Sequence, residues 1–311
     1  MVATKKSDLI VTLNNGAKIP QLGFGTYLAE NDDAYTSVLH ALKSGYTHID
    51  TASIYENEDQ VGKAIKDSGI PREKLFITTK VWPTAADDPA GSLERSLARL
   101  GLDYVDLLLI HWPIRLFTRY CKDDSPIDFQ IPVKPDGSRD IDMDWSFVKT
   151  WELFQQLPTS KVRNIGVSNF SINNLKELLA APTTTVKPVV NQVELHPLLP
   201  QTELLKWCQD NDIYLQAYSP LGSVDSTLFN HPVLTEIAQK YGVSTAQVMI
   251  NWALSRGYIV LPKSVTPSRI ESNLEIFELS PEDVAKVSKI SVDEGEKRFV
   301  TPNWAPYPVF Q

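Results

Sequence analysis

Short apolar runs alternate along this chain with longer stretches in which apolar residues recur every three or four positions. The first pattern is that of buried strands, the second that of helices with one buried face. Runs beginning near residues 22, 47, 75, 105, 162, 189, 214 and 258 predict eight strands. Helical spacing predicts helices over 33–43, 58–68, 88–100, 147–157, 172–179, 202–210, 234–241, 245–255, 267–277 and 281–290. In the third of these, Leu93, Leu97 and Leu100 share a face opposite Glu94, Arg95 and Arg99, and Gly101 follows as a helix stop. Ahead of the alternation, residues 9–13 and 17–19 flank Asn14-Asn15-Gly16. That predicts a β-hairpin turning on the two residues Asn-Gly, which tolerate positive φ.

Strands alternating with helices imply a parallel sheet covered on its faces. Gly23-Phe24-Gly25 begins like a dinucleotide-binding turn, but Leu28 stands where the third glycine belongs, so the fingerprint fails. Eight strand–helix units without it fit one (β/α)8 barrel, an α/β TIM barrel, better than two doubly wound domains. The whole of 1–311 is therefore expected to form one domain, with the hairpin in 1–20 and a tail over 291–311. A Pro-, Asp- and aromatic-rich insert over 112–144 exceeds ordinary connection lengths and predicts a functional loop over a site.

Composition narrows the class. With 42% apolar and 22% charged residues in 311, the chain can bury a large core. A net charge of −8 argues against a nucleic-acid surface, so any anion site must be a local cluster of cations. Cys121 and Cys208 are too far apart in sequence to suggest a disulfide or metal framework. The first eight residues are polar, and no apolar run approaches the roughly 18 residues of a membrane span. The expectation is a cytoplasmic protein with no membrane or nucleic-acid partner.

In such barrels the functional groups stand where strands end. Here those positions hold Asp50, then Tyr55 in the loop beyond it, Lys80, His111, Ser168 with Asn169, Gln192, Tyr218 and Lys263. Each alone has an ordinary structural reading; together on one face they predict catalysis. A phenol with a pKa near 10 is a weak acid at neutral pH. A lysine cation beside Tyr55, braced by Asp50, would lower that value and make a general acid for a forming oxyanion. Neutral His111 can orient a carbonyl by a hydrogen bond. Protonating a carbonyl without metal or nucleophile calls for a hydride source, so a nicotinamide cofactor is the complement. Tyr218 is placed to stack on its ring, and Ser168, Asn169 and Gln192 to bind its carboxamide. Lys263-Ser264-Val265-Thr266-Pro267-Ser268-Arg269 gathers two cations and three hydroxyls at a strand-to-helix turn, which suits a phosphate monoester. His48, two residues before Asp50, is expected to be structural. A metal-dependent hydrolase is the competing barrel chemistry, but the five histidines lack ligand spacing.

Six ordered segments together resemble the aldo-keto reductase family over nearly the whole chain. They are Gly23-Phe24-Gly25-Thr26, Asp50-Thr51-Ala52-Ser53-Ile54-Tyr55, Gly101-Leu102-Asp103-Tyr104-Val105-Asp106 leading to His111-Trp112-Pro113, Gly166-Val167-Ser168-Asn169-Phe170, Asn191-Gln192-Val193-Glu194 and Pro262-Lys263-Ser264-Val265-Thr266. The likeness extends to fungal members that reduce short aldehydes, ketones and keto esters, including glycerol dehydrogenases. The resemblance implies an NADP-dependent oxidoreductase acting on CH–OH groups, often monomeric, with a tetrad of Asp50, Tyr55, Lys80 and His111 and with Tyr55 as the acid.

It also implies NADPH lying extended across the barrel mouth against Gly25, Thr26, Tyr27, Asp50, Ser168, Asn169, Gln192, Tyr218, Ser219 and Leu221. The 2′-phosphate falls to Lys263, Ser264, Val265, Thr266 and Arg269, and the adenine to Asn273. Substrate walls fall to Tyr27, Trp82, His111, Trp112, Phe117 and Trp304. Tyr27 stands where many relatives have Trp, and Ser272 where many have Glu or Gln. The non-catalytic alternative is a barrel that only senses nicotinamide nucleotides.

Overall fold

A computed structural model describes residues 2–29, 32–223 and 226–310. It contains a parallel sheet in sequence order: β1 (Phe24–Gly25), β2 (His48–Asp50), β3 (Phe76–Val81), β4 (Val105–Ile110), β5 (Val162–Ser168), β6 (Val190–Glu194), β7 (Tyr214–Tyr218) and β8 (Ile259–Val260). Leu22 bridges Val260 in parallel, closing the sheet on itself. The seam is sewn by backbone bonds from Val260 to Gln21 (2.8 Å), Gly23 to Val260 (2.9 Å) and Gly25 to Pro262 (3.0 Å). This is the expected (β/α)8 barrel.

Its helices are α1 (Asp33–Ser44), α2 (Glu58–Ser68), α3 (Pro89–Leu100), α4 (Phe147–Phe154), α5 (Ile172–Ala180), α6 (Thr202–Asp210), α7 (Pro232–Tyr241), α8 (Thr245–Ser255), α9 (Pro267–Leu274) and α10 (Pro281–Glu294). Their apolar faces and the outward side chains of the strands form the main core. None of the described helices is long and apolar enough to cross a membrane.

Every residue of β2, β3 and β6 is buried. Strands covered on both faces are normally continuous apolar runs. Asp50, Lys80, Asn191, Gln192 and Glu194 break that rule, and buried polar groups of this kind need partners.

The hairpin pairs Ile10–Thr12 with Lys18–Pro20. Its loop has three residues rather than the predicted two. The Leu13 amide donates to Ala17 (2.8 Å), the Gly16 amide to Leu13 (2.9 Å), and Gly16 alone takes positive φ, at 86°. Fastening explains the choice: Asn14 Nδ2 donates to the Pro188 and Asp212 carbonyls, both at 3.0 Å, and Asn15 Nδ2 to Asn164 at 2.7 Å. Leu13 and Ile19 then pack with Phe76, Val190 and Ile259 at the strand starts. That plugs the N-terminal end and leaves the opposite end for function.

Several boundaries differ from the predictions. Helix α9 ends at Leu274 because Glu275–Ile276 pair antiparallel with Lys5–Lys6, a strand that the polar N-terminus did not suggest. Helix α4 stops at Phe154, short of 157. Strand β8 stops at Val260, so Lys263 lies three residues beyond it. The 112–144 insert is tied down by carboxylates. Buried Asp128 accepts from Arg95 Nε (2.6 Å), Arg95 Nη2 (3.0 Å) and Ser92 (3.0 Å). Buried Asp140 accepts two bonds from Arg119, both 2.7 Å. Arg115 joins Asp142 (2.7 Å) and Asp87.

Candidate active site

Strands β2 and β3 end side by side, so Asp50 and Lys80 meet. Lys80 Nζ donates to Asp50 Oδ1 at 2.5 Å, to the Thr51 carbonyl at 2.9 Å and to the Tyr55 hydroxyl at 3.3 Å. Those three contacts use all the protons of an ammonium. The other carboxylate oxygen, Asp50 Oδ2, accepts from Gln192 Nε2 at 2.7 Å. Tyr55 is delivered by a short 3-10 turn, Ser53–Tyr55, whose Ser53 hydroxyl bonds the Lys80 carbonyl at 3.1 Å.

His111 follows β4, its ring edge-on to Tyr55 (centroids 5.8 Å) and to Trp82 (5.1 Å). Its Nδ1 is buried without a partner among the described residues. Asn169, at positive φ after β5, donates to the His111 carbonyl (2.9 Å) and accepts from the Tyr218 hydroxyl (2.9 Å). Ser168 donates to the Gln192 carbonyl at 2.8 Å.

Burial dominates the electrostatics. It pushes His111 well below its ordinary 6.5, helped by the charge of Lys80, so the imidazole is neutral. It also lowers Lys80, against the opposing charge and hydrogen bond of Asp50. The expectation that Lys80 lowers the pKa of Tyr55 is overturned. Tyr55 is half-buried, and desolvation followed by the charge of Asp50 raises the phenol well above 10. The physical reason is burial: taking the phenol out of water disfavours the phenolate, and the Asp50 carboxylate adds to that.

Tyr27 lies largely exposed with its ring 5.0 Å from that of Tyr55. The two flank a cavity of about 450 Å³ shared with Ile54, Asn57 and Gln60. A larger hollow of about 1010 Å³ lies beside the hairpin at the opposite end, and none of the four clustered strand-end groups lines it. The wall beyond His111 is aromatic: Trp82, Trp112 and Trp304 are buried in one cluster, with Trp304 6.0 Å from Trp82 and 5.7 Å from Trp112. Phe117 does not join them. Its ring sits against the guanidinium groups of Arg119 (4.5 Å) and Arg115 (5.4 Å).

On the β1 side, Thr26 is buried and its hydroxyl bonds the Asp50 carbonyl at 3.1 Å, next to Gly25. Ser219, at positive φ, and half-buried Leu221 follow β7. Lys263 Nζ reaches the Leu28 carbonyl at 2.9 Å, and Ser264 accepts from the Thr266 amide at 3.1 Å. Val265, Thr266 and Arg269 are exposed around the start of α9, and Asn273 is buried within it. His48 is structural as expected: its ring is fully buried, and a side chain on Gly23 would meet it at 2.6 Å.

The sequence pattern assigned no role to Asn57. Buried Asn57 donates to the Thr26 (3.0 Å) and Ala29 (3.3 Å) carbonyls and accepts from Thr51 (3.1 Å), tying the β1 loop to the loop that bears Tyr55. Its only signal was a position just before α2, where Asn also serves as an ordinary helix cap.

The family profile described as "Aldo/keto reductase family" matches residues 21–292. Among known proteins, the chain is 55% identical over 307 residues to a yeast (Saccharomyces cerevisiae) protein named glycerol 2-dehydrogenase (NADP(+)), covering 98% of each chain. It is 51% identical to an aldehyde reductase of the same yeast, covering 99% of this chain and 98% of the relative. A glyoxal reductase of Bacillus subtilis is 42% identical, with 91% and 93% covered. A profile spanning the barrel and relatives matched end to end leave one conclusion: the chain belongs to the aldo/keto reductase family.

Proposed function

We propose that this protein uses NADPH to reduce aldehydes, ketones and keto esters to alcohols, with Tyr55 giving the carbonyl oxygen its proton. The observation that carries the reading is the Asp50–Lys80–Tyr55 contact set, with neutral His111 facing the same phenol. The relatives' names supply the reaction class, since they describe NADP-linked glycerol oxidation and the reduction of aldehydes and glyoxal.

The residues present fit the cofactor. Gln192 spends its amide N–H groups on Asp50 and Gln216, and among the described residues none bonds its Oε1, an acceptor suited to a carboxamide. Asn169, Ser168 and Tyr218 stand beside it. Among the described residues, Arg269 and the Thr266 hydroxyl make no side-chain bond, and with Lys263 and Ser264 they offer a 2′-phosphate charge and donors. Gly25, Thr26, Tyr27, Ser219 and Leu221 would flank the bridge between these two ends. When bound, NADPH supplies the hydride.

The protein's own part is charge and orientation. A carbonyl oxygen seated between Tyr55 and His111 gains negative charge during reduction, and the Tyr55 proton moves to it. A phenol held protonated is a loaded donor, and an alkoxide is a far stronger base than a phenolate, so the transfer runs downhill. Lys80 then stabilises the phenolate, and Asp50, gripped by Gln192, keeps Lys80 aimed. An N–H on buried Nδ1 of His111 would be an unsatisfied donor, so the proton belongs on Nε2, where it can bond the carbonyl oxygen. Trp82, Trp112 and Trp304 supply an apolar wall that excludes water.

The test is NADPH consumption across a panel of aldehydes, ketones and β-keto esters. Tight NADPH binding with no turnover on any of them would replace this reading with that of a nucleotide sensor. The reading extends to a monomer in the cytoplasm, where Cys121 and Cys208, both free, stay reduced. Sedimentation and cell fractionation check those two points.

A further inference from the structure

Glu194 is the last residue of β6, at the same end of the barrel as the site, and it is completely buried. The catalytic reading does not use it. Its Oε1 accepts from His196 Nε2 (2.8 Å) and from the Phe299 amide (2.7 Å), and its Oε2 accepts from the Val300 amide (2.9 Å). The Arg298 guanidinium lies 3.9 Å from the same oxygen. Burial alone would push this carboxyl up, but these donors reverse the effect and hold it below its ordinary range.

The segment that Glu194 grips has no regular structure: residues 295–310 form neither helix nor strand. A backbone without a ladder needs side-chain acceptors for its buried amides. Here two consecutive amides end on one carboxylate. From that point the chain runs to Trp304 and Phe310, whose rings lie 5.7 Å and 5.8 Å from Trp112. Arg298 stacks back over Phe310 at 3.7 Å, closing the loop on the Glu194 anchor. Further fastenings include the Lys297 amide on Leu198 (2.9 Å), Asn174 on the Tyr307 hydroxyl (3.3 Å) and the Phe299 ring against His196 (4.9 Å).

We propose that Glu194 is a positioning residue for the substrate pocket: its carboxylate sets the register of the tail and thereby the seat of Trp304. The proposal rests on the reading of that pocket as a carbonyl site. It touches neither substrate nor reacting atoms. The charge is the point, because three N–H donors converge on the two oxygens. A glutamine in its place keeps the volume but turns an NH2 group toward a backbone N–H, so one tail amide loses its acceptor.

Glu194→Gln in the full-length chain is the test, with two readouts. In hydrogen exchange, tail peptides spanning 297–304 should exchange about tenfold faster while the barrel strands are unchanged. In kinetics, the ratio of kcat/KM for an aryl keto ester to that for a small aldehyde should change about tenfold, with the NADPH Kd unmoved. In a Trp304→Ala background the same Glu194→Gln change should leave that ratio nearly constant, since coupled residues are non-additive.

Unchanged tail protection overturns the proposal. So does a fall in Tm with the substrate ratio intact, or an equal effect in the Trp304→Ala background. Failure of the unmodified chain to reduce any carbonyl would sink the catalytic reading instead, and exchange would still decide whether Glu194 holds the tail.

Discussion

The Tyr55 hydroxyl has to stay loaded until a stronger base comes to rest against it. Burial achieves this by raising its pKa well above 10, and Lys80 at 3.3 Å acts afterwards, on the phenolate. Tyr55→Phe should therefore lower kcat by about 10³-fold, within the range of positioned proton transfer. NADPH affinity should be unchanged, and stopped-flow turnover with fluorescence titration of the cofactor measures both. Near-normal turnover would remove Tyr55 from its role. The four clustered residues were legible in the sequence because a lysine and carboxylate at successive strand ends have few reasons to be buried. The direction of the Tyr55 shift was not legible. It depends first on how deeply the fold buries the phenol, and then on the nearness of the Asp50 charge, neither of which a pattern of residues encodes. Asn57 was missed for a related reason: its partners are loop carbonyls, which any residue type supplies.

At the scale of elements, the 112–144 insert behaves as a strapped plate, and its strap reaches the pocket. Asp128 holds the 3-10 turn Ile127–Phe129 against Arg95 and Ser92 on α3, and one residue later the Gln130 carbonyl accepts the Trp82 indole N–H at 2.8 Å. Removing one partner of a buried ion pair costs about 3–5 kcal/mol, because the other charge stays unpaired. Arg95 keeps some exposure, so Asp128→Ala should cost about 2–3 kcal/mol in denaturant unfolding. It should also raise KM for bulky carbonyls through Trp82 while leaving NADPH affinity alone. A stability loss with unaltered KM would separate the strap from the pocket.

Helix α9 offers a second element-scale test. Arg269→Ala should weaken NADPH by about 10- to 100-fold and NADH hardly at all, as expected for loss of a charge-assisted bond to the 2′-phosphate. Equal loss for both nucleotides would move that phosphate elsewhere. The start of α9 was readable from Pro267. Its end was not, because a strand more than two hundred residues away takes Glu275 and Ile276 out of the helix.

Across the whole barrel, one chain of hydrogen bonds runs from the plugged end to the catalytic brace. His48 Nδ1 meets the Pro20 carbonyl of the hairpin at 3.1 Å. Its Nε2 lies 3.4 Å from Gln216 Nε2, Gln216 Oε1 accepts from Gln192 at 2.9 Å, and Gln192 donates to Asp50. The order of donors requires a neutral imidazole with its proton on Nδ1. A second proton on Nε2 would face the Gln216 amide N–H and break the chain. Burial sets the same preference, lowering His48 from 6.5 to about 4. The unfolded chain therefore takes up a proton below pH 6.5 that the folded chain refuses. Stability is full above 6.5, falls as pH drops from 6.5 toward 4, and loses nothing further to this residue below that. A shift of this size amounts to about 3 kcal/mol by pH 4. His111, lowered well below 6.5, adds to the loss in the same window. His48→Gln should lower Tm at pH 7 by disturbing a packed site, yet flatten the decline of Tm between pH 6.5 and 4, with the remaining slope left to His111 and, near the foot of the window, to Glu194. Calorimetry at half-unit pH steps on both chains reads the two slopes, and parallel curves would show that His48 titrates alike in the folded and unfolded protein.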